Sequence, residues 1–143
     1  MDIPREIRHG EEFALETLKT YLSENNINAD DLSIKQFPSG YSNLTYFLKS
    51  SSHEFVLRRP PFGAKSLQGG HDMFREYNVL KNLKSQFSKV PDVYLYCDNN
   101  EIIGAPFYLM ERVKGYIIRP NLQQKDSPGK EVIQNVSKSL VST

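Results

Sequence analysis

A chain of 143 residues has the size of one domain and can bury a core without cross-links. Lys+Arg 18 against Asp+Glu 17 leaves a net charge of +1, which excludes a strong electrostatic pull toward nucleic acid or an anionic membrane. One cysteine, Cys97, excludes an internal disulfide, and the charged start MDIPREIRHGEEF lacks the apolar stretch of a secretory signal, so a cytoplasmic protein is expected.

In chain order, Ala14, Leu15, Leu18, Tyr21 and Leu22 recur at helical spacing and predict an amphipathic helix from Glu11 to about Asn25, broken by NNINADD. Three short alternating runs follow, LSIKQF, NLTYFLK and EFVLRR, separated by PSGYS and SSSH, which is the pattern of an antiparallel meander. A second helix is predicted from about Gly70 to Leu83, with Met73, Tyr77 and Leu80 along one face, and it should lie across the sheet. VPDVYLYC and APFYLMERV read as two more strands joined by a turn at DNNE. IIGAPFYLM is far too short to span a bilayer, which takes about 20 apolar residues. A last helix opens with Ser127 as its cap and Pro128 at its first position, and carries Val132, Ile133, Val136 and Leu140 on one side. An apolar face at that place asks for a covering surface, either more of the same fold or a second copy.

The end of the third strand carries the first chemical signal. In EFVLRR, alternation puts Val56 and Arg58 on one face and Phe55, Leu57 and Arg59 on the other. Arg58 is then a cation at the rim of the sheet, able to fork onto phosphate oxygens, with Val56 placed to lie under a base. Glu76, on the following helix beside Tyr77 and Leu80, is spaced to pair with Arg58 and hold it extended. Taken singly, Arg58 reads as a solvated strand-end charge and Glu76 as one more exposed helix carboxylate; it is the ordered set that points to a site. PSGYSNLTY supplies backbone freedom at Gly40 and donors at Ser39, Ser42, Asn43 and Thr45, enough to curl over a phosphate, although an ordinary hairpin turn has the same composition. FYLMERVKG reads either as a core strand or as a hinge, with Met110 at the back of a pocket and the backbone of Glu111 and Val113 facing adenine. His9, His53 and His71 share no metal-ligand spacing with one another or with Cys97, so no metal site is assigned. Tyr41, Tyr46, Tyr94 and Tyr96 would suit a nucleic-acid-binding sheet, which the near-neutral charge disfavours.

Strand, glycine turn, strand, strand ending in a cation, helix bearing an acid, strand, strand and exit follow one another as in the small lobe of a kinase-like phosphotransferase. QFPSGYSNLTYFLK, EFVLRRPPFGAK, HDMFREYNVLKNL, VPDVYLYCDNNEIIGAPFYLMERVKG and VSKSLVST together resemble the N-terminal part of the aminoglycoside phosphotransferase family, in the branch also found fused to acyl-CoA dehydrogenases. The resemblance covers roughly residues 32 to 143. It implies an α+β fold: a kinase-like N-terminal lobe with a five-stranded antiparallel sheet, one crossing helix, an N-terminal helix, and the first helix of a C-terminal lobe. It implies ATP or GTP with Mg²⁺ as cofactor and the hydroxyl of a small molecule as acceptor. Ser39, Gly40, Ser42 and Asn43 match the phosphate-covering loop, Arg58 the strand cation, Glu76 its partner, and Met110, Glu111 and Val113 the hinge.

The expected division is residues 1–30 as a helical extension, 31–115 as the lobe with its hinge, and 116–143 as a linker and the start of the C-terminal lobe. Family members carry a catalytic-loop Asp, its Asn and a metal-binding Asp after the hinge. No His-Gly-Asp or Asp-x-x-x-x-Asn follows the hinge in this sequence, so these residues alone should not turn over substrate. The rival expectation is a non-enzymatic module, either a pseudokinase-like nucleotide binder or a homo-oligomer built through the last helix. Neither nucleic acid nor membrane is expected as a partner.

Overall fold

The computed structural model describes residues 3–38, 42–63, 72–115 and 129–141. The chain divides into two compact units, Asp2–Lys114 and Gly115–Thr143, which are taken separately.

The first unit is built on five strands: β1 (Ser33–Gln36), β2 (Leu44–Lys49), β3 (Glu54–Arg59), β4 (Val93–Cys97) and β5 (Phe107–Glu111). Their spatial order is β1-β2-β3-β5-β4 and every neighbouring pair is antiparallel. The first three form the meander expected from their alternation. The chain then crosses to the far edge through helix α2 (Met73–Lys84), and β5 returns to fill the gap beside β3.

Each face of this sheet has its own cover. On one face, Leu44, Tyr46 and Leu48 of β2, Phe55 and Leu57 of β3, Cys97 of β4 and Phe107 and Leu109 of β5 form a continuous buried core with Leu18 and Leu22 of helix α1 (Leu15–Glu24). Alternation puts these residues on one side because successive Cβ atoms point opposite ways. The other face carries Phe47, Val56 and Tyr108, and α2 lies there, packing Met73 inward and setting Phe74 and Tyr77 against Tyr96. Tyr46, which would have to be exposed to serve a nucleic-acid-binding sheet, is instead buried in the first core, with its hydroxyl donating to the carbonyl of Glu11 at 2.7 Å. Burial pushes that phenol up to about 12.

The first helix begins at Leu15 rather than Glu11. Residues 3 to 14 run instead as a strap along the sheet edge, where Arg5 and Gln36 exchange two backbone hydrogen bonds of 2.8 Å and Phe13 meets Tyr46 edge-on. Backbone spent on an edge strand and on the Tyr46 hydroxyl is not available to extend the helix.

The DNNE turn is also different. Asn100–Ile103 form a one-turn helix, α3, whose N-cap Asn99 accepts from the N–H of Glu101 at 2.9 Å and which ends at Gly104 with φ of +80°. That left-handed backbone suits glycine, and a Cβ there would meet Phe62 at 3.6 Å and the Arg59 guanidinium at 4.0 Å. The second helix starts three residues later than expected, because Asp72 caps it by accepting from the N–H of Arg75 at 2.9 Å.

The second unit contains helix α4 (Lys130–Val141), with Val132, Ile133 and Val136 exposed. Ser127, Pro128 and the side chain of Leu140 lie outside the described residues. No helix among the described residues is long and apolar enough to cross a membrane.

Candidate functional site

Arg58 stands on the α2 face near the end of β3, opposite Thr45 of β2 and Tyr108 of β5. From α2, Glu76 brings an Oε2 to 3.5 Å from its guanidinium, so the expected pair is present. Both side chains keep about a third of their surface in contact with solvent, 32% for Arg58 and 31% for Glu76. A cleft of about 380 Å³ opens over this pair, lined by Arg58, Asp72, Arg75, Glu76, Val79, Leu80 and Tyr108. Its walls combine two guanidiniums, two carboxylates and the apolar flank of α2, a setting suited to an anionic group carried on an organic body.

Two further contacts, one from a residue the sequence did not single out, complete the arrangement. Tyr108 donates its hydroxyl to Glu76 Oε2 at 3.0 Å, and the Asn43 side-chain amide donates to Glu76 Oε1 at 2.8 Å. Asn43 is 4% exposed and Tyr108 1%. Asn43 was expected among the loop donors; its amide is directed at the carboxylate of α2. Burial raises the Tyr108 phenol far above its ordinary range, only partly opposed by the neighbouring Arg58 cation, so the hydroxyl remains a donor.

The remaining expected residues lie farther along the same face or at the strand exit. Val56 is buried and sits between Phe47 of β2 and Met110 of β5 in register, so Phe47, Val56 and Met110 form an apolar patch beside Arg58. None of the three lines the cleft at Arg58. Glu111 ends β5, where its N–H donates to the Asp92 carbonyl at 2.8 Å and its carboxylate accepts from the Asp92 N–H at 3.2 Å. Val113 lies beyond the strand with its side chain exposed. Ser42 is exposed at the bend before β2, while Ser39 and Gly40 lie outside the described residues.

The exit from β5 has its own anchor. The Arg112 guanidinium stacks over the Phe47 ring at 4.2 Å and donates to Glu54 at 2.9 Å, and Lys114 reaches the same carboxylate at 3.1 Å. The Lys114 hydrogen bond is the main cause that holds Glu54 below its ordinary value, against the opposing effect of burial and with further help from Arg112. Nothing local in the sequence signals this arrangement, because Arg112 and Glu54 are 58 positions apart. Among the described residues no group of three or more His, Cys, Asp or Glu comes together to hold a metal ion.

Residues 33–135 match the profile of the phosphotransferase enzyme family. The chain belongs to this family. A crystal structure from Ralstonia eutropha, assigned as an aminoglycoside phosphotransferase, superposes on 78% of the chain with a TM-score of 0.62 at 30% identity, and the aligned part is 32% of that protein. The phosphotransferase lobe is thus a mixed α+β unit with the kinase-like five-stranded sheet of that neighbour. Acyl-CoA dehydrogenase family member 11 of Rattus norvegicus is 39% identical over 127 residues, covering 83% of this chain and 16% of the rat protein. Acyl-CoA dehydrogenase family member 10 of Mus musculus is 36% identical over 103 residues, covering 71% of this chain and 10% of its own length. The chain therefore spans a small part of the curated relatives it matches.

Proposed function

We infer that this lobe binds the phosphates of ATP or GTP through Arg58, as the nucleotide-holding half of an enzyme that moves the γ-phosphoryl group to a hydroxyl of a small molecule. The observation that carries the reading is the Arg58–Glu76 pair, solvent-reachable at the mouth of a cleft and on the same face as Val56 and Met110. A guanidinium such as that of Arg58 can fork onto phosphate oxygens. Glu76 keeps the long side chain extended, so less rotamer freedom is lost when phosphate arrives. Val56 and Met110 offer the base an apolar surface, and the backbone of Glu111 and Val113 offers it polar groups. Ser39, Gly40, Ser42 and Asn43 are assigned to the phosphates in this reading, on the family pattern alone for Ser39 and Gly40, which lie outside the described residues.

In this reading the general base and the acids that would hold Mg²⁺, which family members carry after the hinge, are supplied from outside these 143 residues. Phosphoryl transfer relies on those groups for most of its barrier lowering. The 143 residues are accordingly expected to bind nucleotide without turnover.

Titration with fluorescent ATP and GTP analogues in the presence of Mg²⁺ tests this reading. Saturable binding by the wild type, weakened at least about tenfold in Arg58→Ala, is the expected result, since a charge-assisted phosphate contact contributes about 1.5–3 kcal/mol. A folded wild-type chain that binds neither nucleotide would overturn it, and turnover above buffer background would overturn the division of labour.

A second reading rests on Val132, Ile133 and Val136, which leave one side of α4 exposed. In that reading the chain is a non-enzymatic module that self-associates through α4. Sedimentation as a stable dimer that dissociates on Val136→Glu would favour it.

A further inference from the structure

The Arg58–Glu76 contact is by itself a weak device. At 3.5 Å, with each side chain about one-third exposed, it belongs to the class of ion pairs that water loosens and salt screens. Arg58 Nε is buried without a hydrogen-bond partner among the described residues, so the orientation of the guanidinium depends on what holds its other end. That end meets a carboxylate already engaged on both oxygens: Oε1 accepts from Asn43 at 2.8 Å and Oε2 from Tyr108 at 3.0 Å. The two donors come from opposite sides of β3, since Asn43 immediately precedes β2 and Tyr108 lies within β5.

We propose that Asn43 and Tyr108 are positioning residues that lock the Glu76 carboxylate against Arg58 and so fix the orientation of the Arg58 guanidinium. A carboxylate with a single cationic neighbour can swing about its last torsion. One that accepts from two buried donors anchored in the sheet has its plane fixed. Both donors are out of water, where a hydrogen bond to a carboxylate is worth more than in solvent, which favours the braced geometry from their side as well.

The family resemblance pairs a strand cation with a helix acid and assigns Asn43 to the loop; the connection from the loop to that acid comes from the geometry alone. Its consequence for ligand affinity rests on the nucleotide-binding reading, whereas the brace itself does not.

The test uses the ¹⁵N-labelled chain and two readouts. The first, without nucleotide, is the Nε–H resonance of Arg58, assigned by its loss in Arg58→Lys. The second is the affinity for the Mg²⁺ complex of a fluorescent ATP analogue. Tyr108→Phe keeps the ring and removes only the donor, Asn43→Ala removes the amide, and Asn43→Asp puts a second carboxylate beside Glu76. Each should shift the Arg58 resonance toward its position in Glu76→Gln, Asn43→Asp most of all. Tyr108→Phe and Asn43→Ala should each weaken binding about three- to tenfold, less than the full worth of one hydrogen bond to a charged group because the loss reaches the phosphate only through Arg58. In the Glu76→Gln background neither should have a further effect, a non-additivity that general destabilisation would not produce. An unmoved Arg58 resonance in folded Tyr108→Phe and Asn43→Ala, or losses that multiply on top of Glu76→Gln, overturns the proposal. Shifted resonances in a chain that binds no nucleotide would uphold the brace and remove the nucleotide reading.

Discussion

Arg58 and Arg59 are successive residues of one strand, yet alternation sends them to opposite faces and the two faces treat them differently. Arg58 remains one-third exposed, with a carboxylate opposite and a cleft in front. Arg59 is fully buried, with its Nε donating to Pro60 O at 3.1 Å, one terminal nitrogen to Ile103 O at 2.5 Å, and its guanidinium 3.7 Å from the centre of the Phe62 ring. Its neighbours are carbonyls and an aromatic face, and burial lowers its pKa with only Tyr46 and Glu11 opposing. One arginine keeps its charge available to a ligand, while the other uses its donors to tie β3 to the end of α3. The same residue type becomes binding group or structural pin according to the parity of its position.

This contrast can be broken most forcefully at Arg59. Arg59→Ala leaves the Ile103 carbonyl without its donor and empties a buried volume, so urea denaturation should show a loss of about 3 kcal/mol or more. Arg59→Met, which fills the space and removes the desolvated charge, should cost less than half as much. If both variants are as stable as the wild type, the pin is not structural.

A smaller effect sharpens the comparison between the faces themselves. Leu57→Ala, in the α1-side core, should cost about 3 kcal/mol, whereas Val56→Ala, on the α2 side, should cost about 1 kcal/mol. Equal losses in matched urea titrations would mean that the two faces are packed alike.

The smallest expected effect concerns pH. Glu54 is held below its ordinary 4.5 by Lys114 and Arg112. A carboxylate with a depressed folded-state pKa adds stability that is fully present above the unfolded value and is lost as pH falls through the folded one. Thermal melts should therefore be insensitive to Glu54→Gln as a function of pH above about pH 5.5, while below pH 4.5 the wild type should lose part of its advantage over the variant. Parallel melting curves across the acid range would remove Glu54 from the account.

The sheet and the crossing helix were legible because alternation and the 3.6-residue period are local signals, and LTYFLK and EFVLRR carry the first without interruption. Parity alone put Val56 and Arg58 together and assigned Leu57 and Arg59 to the other side. The burial of Arg59 could not be read, since arginine is ordinarily exposed and its partners include Ile103, 44 positions away. The contacts of Asn43 and Tyr108 with Glu76 escaped for the same reason, being 33 and 32 positions apart in sequence. Helix α3 is a single turn, too short for any periodicity to register. Its two ends were nevertheless written in the sequence as Asn99 and Gly104, a cap and a left-handed stop that could have replaced the reading of a plain turn.

The burial of Cys97, 3% exposed within the α1-side core, also has a practical consequence. As the chain's sole thiol, it turns the wild-type molecule into its own opening gauge. A disulfide reagent can label it only after β4 has parted from α1 and α3, so the rate of colour development measures the breathing of one defined layer without an introduced probe. Ligand that steadies the opposite face would slow that rate only to the extent that the two faces open together.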